Sequence, residues 1–218
     1  VSRFFFSVTN PESVIQQFIK AFVIVALVEE ISKYVIVRYV AQRNKEFNEP
    51  FDGIVYAVMV SMGFAALENI LYVFQYGFGN GVLRAFTAVP AHATFGILMG
   101  YFMGLAKFSN KKAQLNLTGL LMATLFHGAY DFFLFINFIP GISFGAFGSL
   151  VIAILLSRKA IKKHQNSSHF KWCYFNASIT TFPLVPFGNS ICNKLAIVGA
   201  MSVMLYLLED EPCFMPFP

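Results

Sequence analysis

The chain has 218 residues, of which 57% are hydrophobic and 12% charged, against roughly 25% charged in an ordinary soluble domain. That balance excludes a soluble globular protein. It points to an all-α, polytopic transmembrane helical bundle, because open strands cannot satisfy their backbone groups in lipid. The net charge of +5 lies mostly in short segments between apolar runs, which is the pattern of membrane topology and not of a nucleic-acid surface.

In chain order, Asn10, Pro11 and Glu12 read as a helix start, with Asn as N-cap and Pro at the first helical position. A first span then runs to about Ala41. Further apolar segments cover approximately 53–76, 84–107, 115–137 and 141–157, each near the ~20 residues that a helix needs to cross ~30 Å of hydrocarbon. Residues 1–165 are therefore expected to form a membrane-embedded core of about five transmembrane helices. Asp52 and Gly53 read as the cap and start of the second span.

The connections alternate in charge: Arg43 with Lys45, then Arg84 alone, then Lys107, Lys111 and Lys112, then none, then Arg158, Lys159, Lys162 and Lys163. Basic connections belong in the cytoplasm, so the first span runs from outside to inside and the uncharged turn at Asn137–Gly141 faces outward. Residues 166–218 read as a separate tail of uncertain structure. It holds Cys173, Cys192 and Cys213 and a candidate sixth apolar helix over 191–208. The first residue is Val1 and no signal peptide precedes the apolar segments, the expectation for a fragment with further spans upstream.

Ionisable groups at membrane depth cost about 2.5 to 3.5 kcal/mol each on the lenient insertion scale, and here they recur. The first span carries Glu29, Glu30 and Lys33, the second Glu68 and Asn69, the third His92, and the fourth His127 and Asp131. At a rise of ~1.5 Å per residue, Glu29 lies roughly 13 Å, Glu68 and His92 roughly 12 Å, and His127 roughly 15 Å from the outer end of their spans. Taken singly, each group has a bland reading as an ion pair or an interhelical hydrogen bond. Their common depth instead favours one site built between helices.

Spacing within the helices agrees. Glu29 with Lys33 and His127 with Asp131 are four residues apart and share a face, whereas Glu30, about 100° from Glu29, is expected to point elsewhere. His92, Gly96, Gly100 and Gly104 repeat at four and form a stripe along which another helix can approach closely. Four carboxyls against Lys33 leave an excess of three negative charges, which calls for protonation or a bound divalent cation. His92, His127 and Glu68 form a ligand set suited to zinc.

The segments "EEISK", "PFDGIVYAVMVSMGFAALENILY", "AHATFGILMGYFMG" and "HGAYDF", in this order on successive spans, resemble the PrsW family of intramembrane proteases, which looks related to CAAX prenyl proteases and bacteriocin-processing membrane proteases. The resemblance covers residues from about 20 to 160. It implies a multi-pass protein of the bacterial cell membrane that hydrolyses a membrane-bound protein substrate of the anti-sigma-factor kind. Carried over, Glu29 and Glu30 would supply the general base, His92 would help to hold the attacking water or a metal, and His127 with Asp131 would complete the site. Glu68 with Asn69 is the PrsW-type addition, and Lys33 supports the acids. Two other readings stand beside this one: a proton or cation transporter built on the same cluster, and a non-catalytic sensor or scaffold.

Overall fold

A computed structural model of the chain describes residues 13–168. The Asn10 cap, the apolar run over 191–208 and all three cysteines lie outside the described residues. Every regular element within them is helical, as the apolar runs predict.

The first segment is helical from end to end but not uniform. Helix α1 (Val14–Ile19) starts where the Ser13 hydroxyl accepts the N–H of Gln16 at 3.4 Å. It passes into a π-helical stretch (Lys20–Ala26) and then into α2 (Leu27–Tyr39). Such wide turns collect at functional sites, and this one ends three residues before Glu29.

Helix α3 (Pro50–Tyr76) begins with a capping box that the charge pattern places at the cytoplasmic end. Asp52 Oδ2 accepts the N–H groups of Asn48 at 2.8 Å and Glu49 at 3.1 Å. Asp52 thus caps as expected, but from inside the first turn, and Gly53 serves packing instead. Gly77 turns the chain at φ +85°, a conformation open to glycine without strain. The short helix α4 (Phe78–Phe86) and α5 (Ala88–Lys107) follow. The single span expected over 84–107 is therefore part of a longer helical stretch that breaks at Thr87. Helices α6 (Lys112–Phe135) and α7 (Phe144–Ser167) complete the unit.

Among the described residues, four stretches are long and apolar enough to cross a membrane: Pro50–Tyr76, Phe78–Lys107, Lys112–Phe135 and Phe144–Ser167. The first expected span is not among them, because its helix divides into three pieces of which the longest has 13 residues. Helix α7 runs ten residues past the expected end at 157, through Arg158 and Lys159. Backbone hydrogen bonding does not depend on hydropathy once the helix has left the hydrocarbon.

Helix α5 is central, with residues 91–100 buried throughout. Its Phe95, Leu98, Met99 and Met103 form the core with Val37, Ala57, Ala123, Tyr130 and Ala153. Contact with α3 runs along the glycine stripe. A Cβ on Gly104 would collide with the Pro50 carbonyl. One on Gly100 would collide with the Gly53 carbonyl and stand 2.8 Å from the Ala57 Cβ. Gly100→Leu is accordingly expected to cost about 3 kcal/mol or more. The measurement is thermal unfolding of detergent-solubilised protein, with Gly63→Leu as an unchanged control, since nothing lies within 4 Å of a Cβ there.

At the far end, Gln42 Nε2 donates to the Met103 carbonyl at 2.8 Å and to Asn116 Oδ1 at 2.9 Å, and Arg38 donates to Gln42 Oε1 at 2.6 Å. These bonds tie the turn after α2 to α5 and α6, and Arg38 ties α2 to that turn, setting the register in which α2 presents its acids.

Candidate active site

Helix α2 meets α5 and α6 where all three are polar. Lys33, only 1% exposed, donates to Glu30 Oε1 at 2.7 Å and to His92 Nδ1 at 2.9 Å. An ammonium has only donors to offer, so His92 Nδ1 accepts and its Nε2 carries the ring proton. That proton points at Glu68 Oε2, 3.1 Å away. On the other side of Glu30, the same Oε1 accepts from His127 Nδ1 at 2.8 Å.

Nε2 of His127 then faces Asp131 Oδ2 at 3.5 Å and Glu29 Oε2 at 3.9 Å. Glu29 Oε2 is buried and has no hydrogen-bond partner among the described residues. With Nδ1 carrying the ring proton, these three atoms are all acceptors, and a proton, a water or a cation has to stand between them. Phe95 stacks on the His127 ring at 5.1 Å between centroids. The two imidazoles meet edge to face at 4.9 Å.

The expectation that Glu30 points away from Glu29 and its partners is overturned. Glu30 is fully buried, and its i, i+3 contact with Lys33 is much shorter than the i, i+4 contact of Glu29 at 4.0 Å. Both spacings make neighbours on a helix. A site enclosed by three helices is also wider than one helix face.

The zinc ligand set expected from the sequence is also rearranged. The atoms that converge belong to Glu29, His92 and His127, all within 4.8 Å of one another. Glu68 is held instead by Arg84, whose Nη2 donates to Oε2 at 2.8 Å. Asn69 stands apart from the cluster and donates to the Gly81 carbonyl at 3.1 Å, pinning α4 against α3.

Arg84 was not among the residues that the sequence singled out. Its signal is nonetheless there: a lone cation on a connection that the charge pattern assigns to the outside. With Arg84 counted, four carboxylates face two cations, an excess of two negative charges where three were expected. Above the cluster opens a cavity of about 890 Å³. Ile24, Val28, Leu67 and Leu71 give it apolar walls, and Glu29, Glu68, His92, His127 and Asp131 lie among its lining.

A family model described as PrsW family intramembrane metalloprotease matches residues 1–165. The chain belongs to the PrsW family. It is 45% identical over 118 residues to the protease PrsW of Oceanobacillus iheyensis, covering 54% of this chain and 55% of that protein. The protease PrsW of Geobacillus kaustophilus is 43% identical over 116 residues, covering 53% of this chain and 52% of that protein. The protease PrsW of Bacillus subtilis is 41% identical over 119 residues, with coverage of 54% and 55%. The chain spans about half the length of the curated relatives it matches. No solved structure matches it.

As a PrsW-family member with four membrane-length helical stretches among the described residues, it is a multi-pass protein of the bacterial cell membrane. The family is one of metalloproteases, and the Glu29, His92 and His127 group fits a metal. Its donor set is one used for catalytic zinc, and the unpartnered Glu29 oxygen faces the gathered nitrogens. Ligation by His92 Nε2 would displace the ring proton, as metal binding to histidine does.

Proposed function

We propose that this chain carries the catalytic core of an intramembrane endopeptidase, which hydrolyses a peptide bond of a membrane-associated protein at the floor of the cavity. The observation that carries the reading is the convergence of Glu29, His92 and His127 from three helices, backed by the Glu30 and Lys33 pair. Hydrolysis needs an activated water, a donor for the oxyanion and a proton for the leaving amine.

Glu29 Oε2 takes the proton of a water held between Glu29, His127 and Asp131. As the water oxygen bonds to the scissile carbonyl carbon, the carbonyl π pair moves onto its oxygen; when that pair returns, the C–N bond breaks and the proton passes from Glu29 to the leaving nitrogen. The His92 ring N–H, held at rest by Glu68, is the donor for the oxyanion. Glu30 fixes the tautomer of His127 and balances Lys33. Were zinc bound, Glu29, His92 and His127 would hold it, and its Lewis acidity would stand in for the Glu29 base and the His92 N–H, whose roles above belong to the metal-free site.

The substrate class we propose is a membrane-bound regulatory protein of the anti-sigma-factor kind. The apolar walls of the cavity support a lipid-embedded segment, and its polar floor supports water at the cleavage point. Membership of a family of proteases does not favour the transporter reading of the same residues.

The test is reconstitution of the purified protein in liposomes with a single-span reporter of the anti-sigma-factor type, the products being sized by mass spectrometry. Cleavage at one peptide bond is expected, lost on treatment with 1,10-phenanthroline and restored by zinc. A metal-free preparation of full activity removes the ion from this reading and leaves the Glu29 and histidine chemistry. Absence of any cleavage by the untreated protein removes the hydrolase.

A further inference from the structure

We infer that Arg84 is a positioning residue of the site, which holds the Glu68 carboxylate in place and through it the ring of His92. The inference rests on the hydrolase reading and extends it to a residue outside the acid and histidine set. Arg84 is the one cation between the second and third expected spans, and an anchor at the membrane surface would leave its head in water. Its side chain is instead only 19% exposed and lines the cavity.

Two contacts fix the guanidinium. Nη2 lies 2.8 Å from Glu68 Oε2, and that same oxygen lies 3.1 Å from His92 Nε2. The guanidinium Cζ lies over the Tyr72 ring, 3.7 Å from the centroid. The backbone is equally defined. Gly77 turns the chain and Asn69 grips the Gly81 carbonyl, so one turn later α4 delivers Arg84 over the cavity.

Two donors on one carboxylate oxygen leave it a single place to sit, and His92 Nε2–H is aimed by that place. Loss of Arg84 would free a third carboxylate beside Glu29 and Asp131, whose repulsion would drive it from His92. A lysine could supply the charge but not the planar group that lies over Tyr72.

The reporter assay distinguishes this role from its rivals. Arg84→Gln is expected to lower kcat by about 10- to 100-fold through misplacement of one group, with KM changed by less than about threefold. Arg84→Lys should recover part of the loss. The double variant Arg84→Gln/Glu68→Gln should be no slower than Glu68→Gln alone, because Arg84 acts through Glu68. A raised KM with unchanged kcat would make Arg84 a substrate contact, and losses that multiply would make it a fold anchor; either overturns the inference.

A second arm needs no substrate. In protein labelled with ¹⁵N-histidine and held in nanodiscs, the His92 Nε2 resonance is expected to move in Arg84→Gln and to stay in Lys159→Gln, where the replaced lysine is exposed. An unmoved His92 signal overturns the inference. Should the unaltered protein cleave no reporter, the hydrolase reading alone is lost, and the histidine signal still decides whether Arg84 positions His92.

Discussion

Glu29→Gln is expected to cut reporter cleavage by about 10³-fold while leaving the unfolding temperature of the solubilised protein unchanged. Both halves follow from the contacts of one carboxylate. Its Oε2 has no hydrogen-bond partner among the described residues, and its nearest basic groups stand at 3.9 Å in His127 and 4.0 Å in Lys33. Those distances are too long for strong hydrogen bonds, so the fold loses little when the charge goes. Glutamine keeps the shape but cannot take a proton from water. A Glu29→Gln protein that kept more than about a tenth of the rate would place the base elsewhere, with Asp131 the next carboxylate in reach of His127. A stable but inactive variant would separate the chemistry of Glu29 from the architecture of its neighbour.

Much of this arrangement is legible in the chain because membrane burial makes polar residues conspicuous. Glu29, Glu68, His92 and His127 stand out against apolar surroundings, and a constant rise per residue brings them to one depth. The glycine repeat from Gly96 to Gly104 announces the α3 to α5 contact, since a Cβ there would meet the Ser61 side chain at Gly96 and backbone at Gly100 and Gly104. What stayed hidden lies in side-chain reach and helix irregularity. The 100° rule fixes where Cβ points but not where three further bonds carry a carboxylate, which is why Glu30 reaches both Lys33 and His127. Hydropathy averages over the break at Thr87 and over the π-helical stretch before Glu29, neither of which alters composition. Arg84 was visible as a charge and not as a partner, because its contact to Glu68 spans sixteen residues and a turn at Gly77.

Glu30→Gln is expected to destabilise the folded protein by about 3 to 5 kcal/mol, the usual cost of breaking a buried ion pair from one side. Lys33 is 1% exposed and Glu30 fully buried, so loss of the carboxylate strands an ammonium in the bundle. Its remaining partners are His92 Nδ1 at 2.9 Å, which carries no compensating charge, and the Glu29 carboxylate at 4.0 Å, beyond hydrogen-bond reach. At this chain length the cost corresponds to a fall on the order of 10 °C in thermal unfolding. Replacing both members reverses the sign of the argument. Glu30→Gln/Lys33→Met removes the stranded charge together with its partner, and is expected to recover at least about half of the lost stability. Activity should not return with it, because His92 then loses the donor that fixes its tautomer and His127 keeps only a neutral acceptor at Nδ1. Stability that recovers without activity would assign the pair to the orientation of the two imidazoles as well as to the fold. If the single variant unfolds at the temperature of the unaltered protein, or if the double variant is no more stable than the single, the buried pair is not what holds α2 against α5 and α6.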